Sequence, residues 1–395
     1  MSRFIKDFSL TAGVAGLLAV IVSYAGSAVI IFQAAHLAGL SDELTSSWLW
    51  AVSIGSGMTG ILLSLRMKTP IITAWSTPGA ALLVVMLPGV PLAEAVGAYM
   101  ASAVLVTVIG LTGSLDVIMR RIPVAVSSGM FAGILFSFGA KVFTSIPAAP
   151  ALGLPMLACF LLCKRLSPRY AVAAVMVVGI IISALMGLMH VDALRLSWAK
   201  PVFTAPTWSS STILGIGIPL ALVTLTGQYI SGMAVLHASG YQVRSDGIMT
   251  VTGICSLLLA PFGSHAVNLS SLTAAICTGR EAHEDPARRY VAGIVCGGLY
   301  LIIGMFGTTL MSLFAALPAV FIAALAGLAL LGAFTAGISG VFNDNANMEA
   351  GIIAFLATAS GMEFLGLGAP FWGLVFGTTA YLVLKKTTRG SRAAK

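Results

Sequence analysis

A chain of 395 residues that is 58% hydrophobic, only 9% charged and has a mean hydropathy of +1.01 is not a soluble domain, in which roughly 25% of residues are charged. Nor is it a disordered chain, because disorder requires low hydrophobicity. The net charge of +8 would suit nucleic acid, but the basic residues lie in short loops between apolar runs, so composition describes an integral membrane protein without a nucleic-acid partner.

Arg3 and Lys6 precede an apolar run too long for the core of a cleaved signal, which reads as a retained first span. At about 20 apolar residues per crossing, fewer where a helix is broken, the first half divides into 10–38, 46–65, 70–87, 92–117, 122–145, 149–163 and 170–189. Tyr24 lies near the centre of the first segment, with Phe32 and Gln33 further along it. In the second, Gly55-Ser56-Gly57-Met58-Thr59-Gly60 matches the dinucleotide pattern G-x-G-x-x-G, but no strand precedes it; close helix packing is the better reading.

The third segment contains the most informative stretch, Ile72 to Val84, which reads I-T-A-W-S-T-P-G-A-A-L-L-V. It has the pattern of a membrane helix that starts late. Trp75, Ser76 and Thr77 lead into Pro78 and Gly79; proline lacks an amide hydrogen and fits a first helical turn, which Ser76 or Thr77 can cap. Non-helical backbone at membrane depth survives only when protein buries it or it lines a watery cavity. A helix N-terminus at that depth suits an anion.

The polar stretch His190 to Trp208, with Asp192, Arg195, Lys200 and two prolines, joins the halves. Beyond it the segments are 210–238, 247–262, 264–279, 288–315, 317–341, 348–366 and 368–385. The chain is thus expected to comprise a first repeat (1–189), a periplasmic linker (190–208), a second repeat (209–386) and a basic cytoplasmic tail (387–395). His265 to Cys277, H-A-V-N-L-S-S-L-T-A-A-I-C, matches the late-starting stretch at a constant offset of 194 residues, pairing Asn268, Ser270, Ser271 and Thr273 with Ala74, Ser76, Thr77 and Gly79. At an offset of 201, Gly227, His237 and Gly240 match Gly26, His36 and Gly39, and R-I-P-V-A-V near 121 resembles A-L-P-A-V near 316. An odd number of segments per half makes the repeats inverted, and paired broken segments point to a transporter's binding site. With both termini cytoplasmic, every basic residue except Lys141, Arg195 and Lys200 falls on the inner face.

Gln228 lies in the eighth segment, the repeat partner of the first, where its amide either glues helices together or donates to a carboxylate. Asn268 either faces substrate or, the preferred reading, caps the tenth segment, whose start Ser270 and Ser271 can also cap. His36, His237 and His265 read as interfacial or packing histidines, and the five cysteines as small buried hydrophobes. The mixed-charge run Arg280 to Arg289 is a loop rather than a metal site. Paired acids, a nucleophile with its base, and metal-ligand spacings are all missing from the sequence, so neither an enzyme nor a cofactor is expected.

The runs T-A-W-S-T-P-G-A-A-L-L and S-Y-A-G-S-A-V-I-I-F-Q-A-A, with L-T-A-A-I-C followed by E-A-H, resemble the benzoate membrane transport (BenE-type) family over nearly the full chain. The resemblance implies an all-helical, uracil-permease-like (nucleobase/ascorbate transporter) fold of fourteen segments. It further implies short strands in segments 3 and 10, a core domain (segments 1–4 and 8–11) and a gate domain (5–7 and 12–14). It implies proton-coupled import of benzoate or a related aromatic carboxylate across an inner membrane, with protons and the lipid bilayer as partners and a homodimer as an arrangement the fold allows. Substrate would meet Tyr24, Phe32, Ser76, Thr77, Gly79, Gln228, Asn268, Ser270 and Ser271, with gate walls at Gly129–Gly133 and Ala324–Gly327. Related nucleobase permeases are similar but carry acids where this chain has Gln228 and Asn268, which favours an anion over uracil. The alternatives are a nucleobase or other anion carrier of the same fold and, more remotely, a membrane-embedded enzyme.

Overall fold

In the computed structural model the chain is mostly helical; the structure describes residues 7–115, 117, 123–189, 196–365 and 367–384. Arg3, Lys6, Asp116, Arg120, Arg121, Asp192, Arg195 and the basic tail lie outside the described residues. The first half runs α1 (Leu10–Leu37), α2 (Asp42–Met67), β1 (Thr73–Trp75), α3 (Thr77–Met86), α4 (Leu92–Thr112), α5 (Val124–Ser145), α6 (Pro150–Leu166) and α7 (Ala171–Leu185). The second half runs α8 (Ser210–Ala238), α9 (Ser245–Leu259), β2 (Val267–Leu269), α10 (Leu272–Thr278), α11 (Tyr290–Met305) and α12 (Gly307–Ala315). It ends with α13 (Ala319–Asn343), α14 (Met348–Ala359), the hairpin β3 (Glu363–Phe364) and β4 (Leu367–Gly368), and α15 (Ala369–Leu384). Among the described residues, eight helices are long and apolar enough to cross a bilayer alone. The chain is a multi-pass membrane protein.

Polarity is distributed as lipid demands. Leu161, Leu162, Leu185 and Leu258 stand more than half exposed on helix surfaces, while Ser46, Ser53, Ser56, Thr59 and Ser64 of α2 are buried. Small residues let helices approach closely where the hydrophobic effect cannot drive them together. A Cβ on Gly57 would lie 2.7 Å from the Gly297 carbonyl, and one on Gly297 would lie 2.8 Å from that of Gly57, so the glycine pattern in α2 is the contact face toward α11.

At the centre β1 and β2 pair antiparallel, Thr73 with Leu269, Ala74 with Asn268 and Trp75 with Val267. Three residues give a strand little intrinsic stability, so flanking contacts hold it. Ser76 N–H donates to Ala266 O (3.2 Å) and Ser270 N–H to Ile72 O (2.8 Å). The Thr73 hydroxyl ties β1 to Ser56 O of α2 (2.7 Å), and Ser256 Oγ of α9 accepts the Val267 N–H (2.8 Å). Backbone that leaves the helical state inside a membrane protein must be satisfied in this way.

Two further irregularities recur. α1 contains a π-helical turn over Tyr24–Ala28, and α8 contains one over Ile213–Gly217 and one over Leu225–Ile230. The turns at Tyr24 and Leu225 begin 201 residues apart, the offset that aligns Gly26 with Gly227, and π-turns within helices frequently mark functional sites. Residues 196–208 lie over α2, α4 and α11, with the Ala199 and Thr207 N–H groups donating to Met305 O and Ala93 O and Trp198 stacked on Phe306 at 4.6 Å.

Candidate functional site

The late helix start expected at Ser76–Gly79 is what forms. Ser76 is the N-cap of α3: its Oγ accepts the Gly79 N–H (3.0 Å) and its carbonyl accepts the Ala80 N–H (2.8 Å), while Pro78 has no N–H to satisfy. This leaves the Thr77 N–H as the first-turn amide with no protein partner among the described residues. Its side chain turns to α1, where Thr77 Oγ1 and Ser27 Oγ share a 2.6 Å hydrogen bond. The Thr224 hydroxyl of α8 donates to Ser76 Oγ (3.3 Å), so the α3 start is held between the π-turn regions of α1 and α8.

Behind the cap lies His265. Trp48 Nε1–H donates to its Nδ1 (3.0 Å); an indole nitrogen only donates, so the proton of the neutral ring sits on Nε2 and points at Ser76 O (2.9 Å). Both ring nitrogens are engaged and the ring is buried, which makes His265 a packing histidine away from the interface.

Strand alternation puts Ala74 and Asn268 on one face and Trp75 on the other. Asn268 has no exposed surface, and neither its Oδ1 nor its Nδ2 has a hydrogen-bond partner. Buried amides are normally satisfied, so this one awaits a water or a ligand oxygen. On the other face Trp75 meets Tyr24 (5.1 Å between ring centroids) and Tyr300 (5.6 Å), with its Nε1–H also unpartnered. Tyr24 Oη is shared with Ser53 and Tyr300 Oη–H donates to Ser23 Oγ, which fixes both rings. Arg289 is the one charged side chain among the described residues that is fully buried, and it sits at the far end of α10, bonded to Thr278 O (2.7 Å).

The opposite wall comes from α5 and α13. A methyl group on Gly227 would touch Pro78 (3.4 Å) and the Phe131 ring (3.7 Å); one on Gly26 would touch Ala329 (3.4 Å) and Val172 (3.7 Å). The two repeat-matched glycines therefore each pack close to one of these helices, Gly227 to α5 and Gly26 to α13. Between the two half-helix starts and these walls a few polar groups converge among apolar side chains.

A model of the family described as benzoate membrane transport protein, BenE, matches residues 6–383. The chain belongs to the benzoate membrane transport protein family. It is 44% identical over 381 residues to the benzoate membrane transport protein of Acinetobacter baylyi, covering 96% of this chain and 97% of that one. It is 39% identical over 370 residues to the inner membrane protein YdcO of Escherichia coli, covering 94% and 95%. Among solved structures it is similar in fold to the transmembrane domain of the cyanobacterial bicarbonate transporter BicA, with a TM-score of 0.59 at 15% identity, covering 95% and 96% of the two chains. Against SLC26A9 the TM-score is 0.61 at 15% identity, covering 96% of this chain and 66% of that one. This member of the benzoate transport family is a membrane transporter and not an enzyme.

Around the strand pair the structure brings together Ser76, Thr77, Gly79 and the Gln228 segment of α8, with Tyr24 and Asn268 beside them. The Gln228 amide makes no hydrogen bond to the protein among the described residues, although the residue is buried. Gly79 is a close-approach position: its N–H serves the Ser76 cap, and a Cβ there would meet Leu220 at 2.6 Å. Phe32 lies apart, packed on Phe314 at 4.4 Å in a second cavity.

Several expectations need correction. Asn268 does not cap α10; it is the middle residue of β2, and pairing with Ala74 removes it from the helix start. Ser271 occupies the N-cap position without a side-chain bond, and Ser270 Oγ accepts from the Thr273 hydroxyl (2.6 Å) instead of a backbone amide. Of the expected gate walls, Gly327 lies against α5, where a Cβ would be 2.4 Å from Phe138 O, and Ala329, two residues on, reaches Gly26. Sequence reasoning also passed over Ser27, although it matches Gln228 at the 201 offset, and over Tyr300, whose role depends on a contact with no local signal.

Proposed function

We propose that the chain imports benzoate or a related aromatic carboxylate together with protons, by alternating access, across a bacterial-type inner membrane. In this reading all fourteen segments cross as two inverted repeats, 1–189 and 209–386, joined by the periplasmic linker 190–208, with both termini and the tail 387–395 cytoplasmic. The core (α1–α4, α8–α12) holds the site and the gate (α5–α7, α13–α15) moves against it; a homodimer is compatible with this arrangement. The observation that carries the reading is the meeting of β1 and β2 in the buried centre, where the Thr77 N–H and the whole Asn268 amide are unpaired. These groups, with Gln228, Ser76, Ser270 and Ser271, suit a carboxylate, and Tyr24 and Phe131 supply ring contacts. The family's description and the name of the Acinetobacter baylyi relative agree with that substrate class. No carboxylate stands beside the strand pair among the described residues, so the proton is taken to travel with the substrate, neutralising it.

The test is uptake of labelled benzoate into proteoliposomes under an imposed pH gradient. Parent protein is expected to accumulate benzoate, while Gln228→Ala and Thr77→Val reduce uptake at low substrate by about tenfold with folding intact. Uptake by the parent that ignores the pH gradient removes proton coupling; parent protein that transports no aromatic acid removes the substrate assignment.

A further inference from the structure

A second cavity, of about 700 Å³, opens where the C-terminal end of α1 and the start of α2 face the end of α5 and the start of α13. All four ends lie on the face away from the N-terminus of α1. The cavity is mainly apolar, with the Phe32–Phe314 pair (4.4 Å between centroids) on its wall. Its polar lining is Gln33, His36, Lys141 and Asp42 with three hydroxyl side chains. Gln33 Oε1 is buried without a hydrogen-bond partner. Lys141 and Asp42 both line the space, but neither takes part in an ion pair among the described residues. Lys141 is also one of only three basic residues assigned to this face, so its charge is not diluted by a basic surface around it.

Phe32 follows Ser27 by five residues on α1, or about 7.5 Å along the helix axis. The cavity's inner end thus lies a short step from the Ser27–Thr77 hydrogen bond of the central crevice. An apolar space with an aromatic wall and one free ammonium has the chemistry of an aromatic acid with a single carboxylate. Asp42 on the same lining opposes a second one.

We infer that this cavity is a separate arrival subsite for aromatic monocarboxylates, in which Lys141 draws in the carboxylate and Phe32 with Phe314 receives the ring before transfer to the central crevice. The inference rests on the transport reading above and adds to it a second station, on one face only. Lys141 acts before the substrate reaches the central site, so its removal changes capture and not turnover. Its side chain is exposed, so its replacement leaves the fold intact.

The experiment measures initial benzoate uptake in right-side-out and inverted membrane vesicles at low ionic strength, for parent, Lys141→Gln, Lys141→Glu and Lys141→Arg. In right-side-out vesicles Lys141→Gln is expected to raise KM about fivefold and Lys141→Glu more, with Vmax within about twofold of parent. Lys141→Arg keeps the parent KM, added salt narrows the differences, and inverted vesicles show no change in KM. Phthalate, a dicarboxylate, is expected to compete poorly with benzoate in the parent and better in Asp42→Asn. Parent transport with an unchanged KM in Lys141→Gln and Lys141→Glu overturns the subsite alone, as does an equal KM change from both faces. No benzoate uptake by the parent overturns the transport reading, and the subsite with it.

Discussion

The residue on which the central geometry turns most sharply is His265. Its imidazole accepts a hydrogen bond from Trp48 on one side and donates one to Ser76 O on the other, at 3.0 and 2.9 Å, and so joins α2, β2's approach and the α3 cap in one line. Adding a proton at Nδ1 would require breaking the bond from Trp48, so the ring holds the cap in place and is poorly arranged to carry protons in this conformation. His265→Ala leaves the Trp48 donor buried and unpaired and opens a cavity beside Ser76, for an expected loss of about 2–4 kcal/mol. Ser76→Ala removes the cap bond from Gly79 and the longer bond from the Thr224 hydroxyl, for an expected loss of about 1–2 kcal/mol. Thermal unfolding in detergent measures both, and a His265→Ala protein as stable as Ser76→Ala would show that the imidazole bridge contributes little.

Among the elements, the pair of interrupted segments shows both what the amino-acid order reveals and what it hides. Helix α10 has only seven residues and no side-chain cap, and its C-terminal end is held instead by Arg289, whose guanidinium donates to Thr278 O, His283 O (2.7 Å each) and Glu284 O (3.3 Å). Arg289→Ala is expected to cost about 3 kcal/mol, and Arg289→Lys to recover only part of it, because an ammonium cannot span three carbonyls as the planar fork does. Equal melting temperatures for the lysine variant and the parent would reduce the role of Arg289 to its charge. The α3 start was legible because its signals are local: a serine cap, proline in the first turn and small residues after it. The role of Asn268 was not, because β2 is three residues long and exists only through its pairing with β1, a contact across 194 positions. The same holds for the Trp48–His265 bond and the Tyr24–Trp75–Tyr300 group, which tertiary packing alone assembles. The glycine pattern in α2 was read correctly as packing, since its apolar setting excluded a nucleotide loop before any partner helix was known. The 700 Å³ cavity had no sequence signature, being made from the ends of helices far apart in the chain.

On the scale of the whole molecule, the alternating access proposed above requires that α1 and α13 change their relation during each cycle, and the structure offers a direct way to test it. A Cβ placed on Gly26 lies 3.4 Å from that of Ala329, close to the roughly 3.5–4.5 Å between Cβ atoms joined by a disulfide. Gly26→Cys with Ala329→Cys, in a background where the five native cysteines are replaced, is expected to form a cross-link between core and gate on mild oxidation. The oxidised protein should lose benzoate uptake almost completely and regain it with reductant, while each single variant, unable to close the link, stays responsive neither to oxidant nor to reductant. The central crevice would still be present in the locked state, so binding measured directly should persist while transport stops. That separation matters, because a defect in both would point to damage at the π-turn rather than to arrested motion. If the fully cross-linked protein continues to transport, α1 and α13 move as one body, and the division into core and gate must be drawn elsewhere.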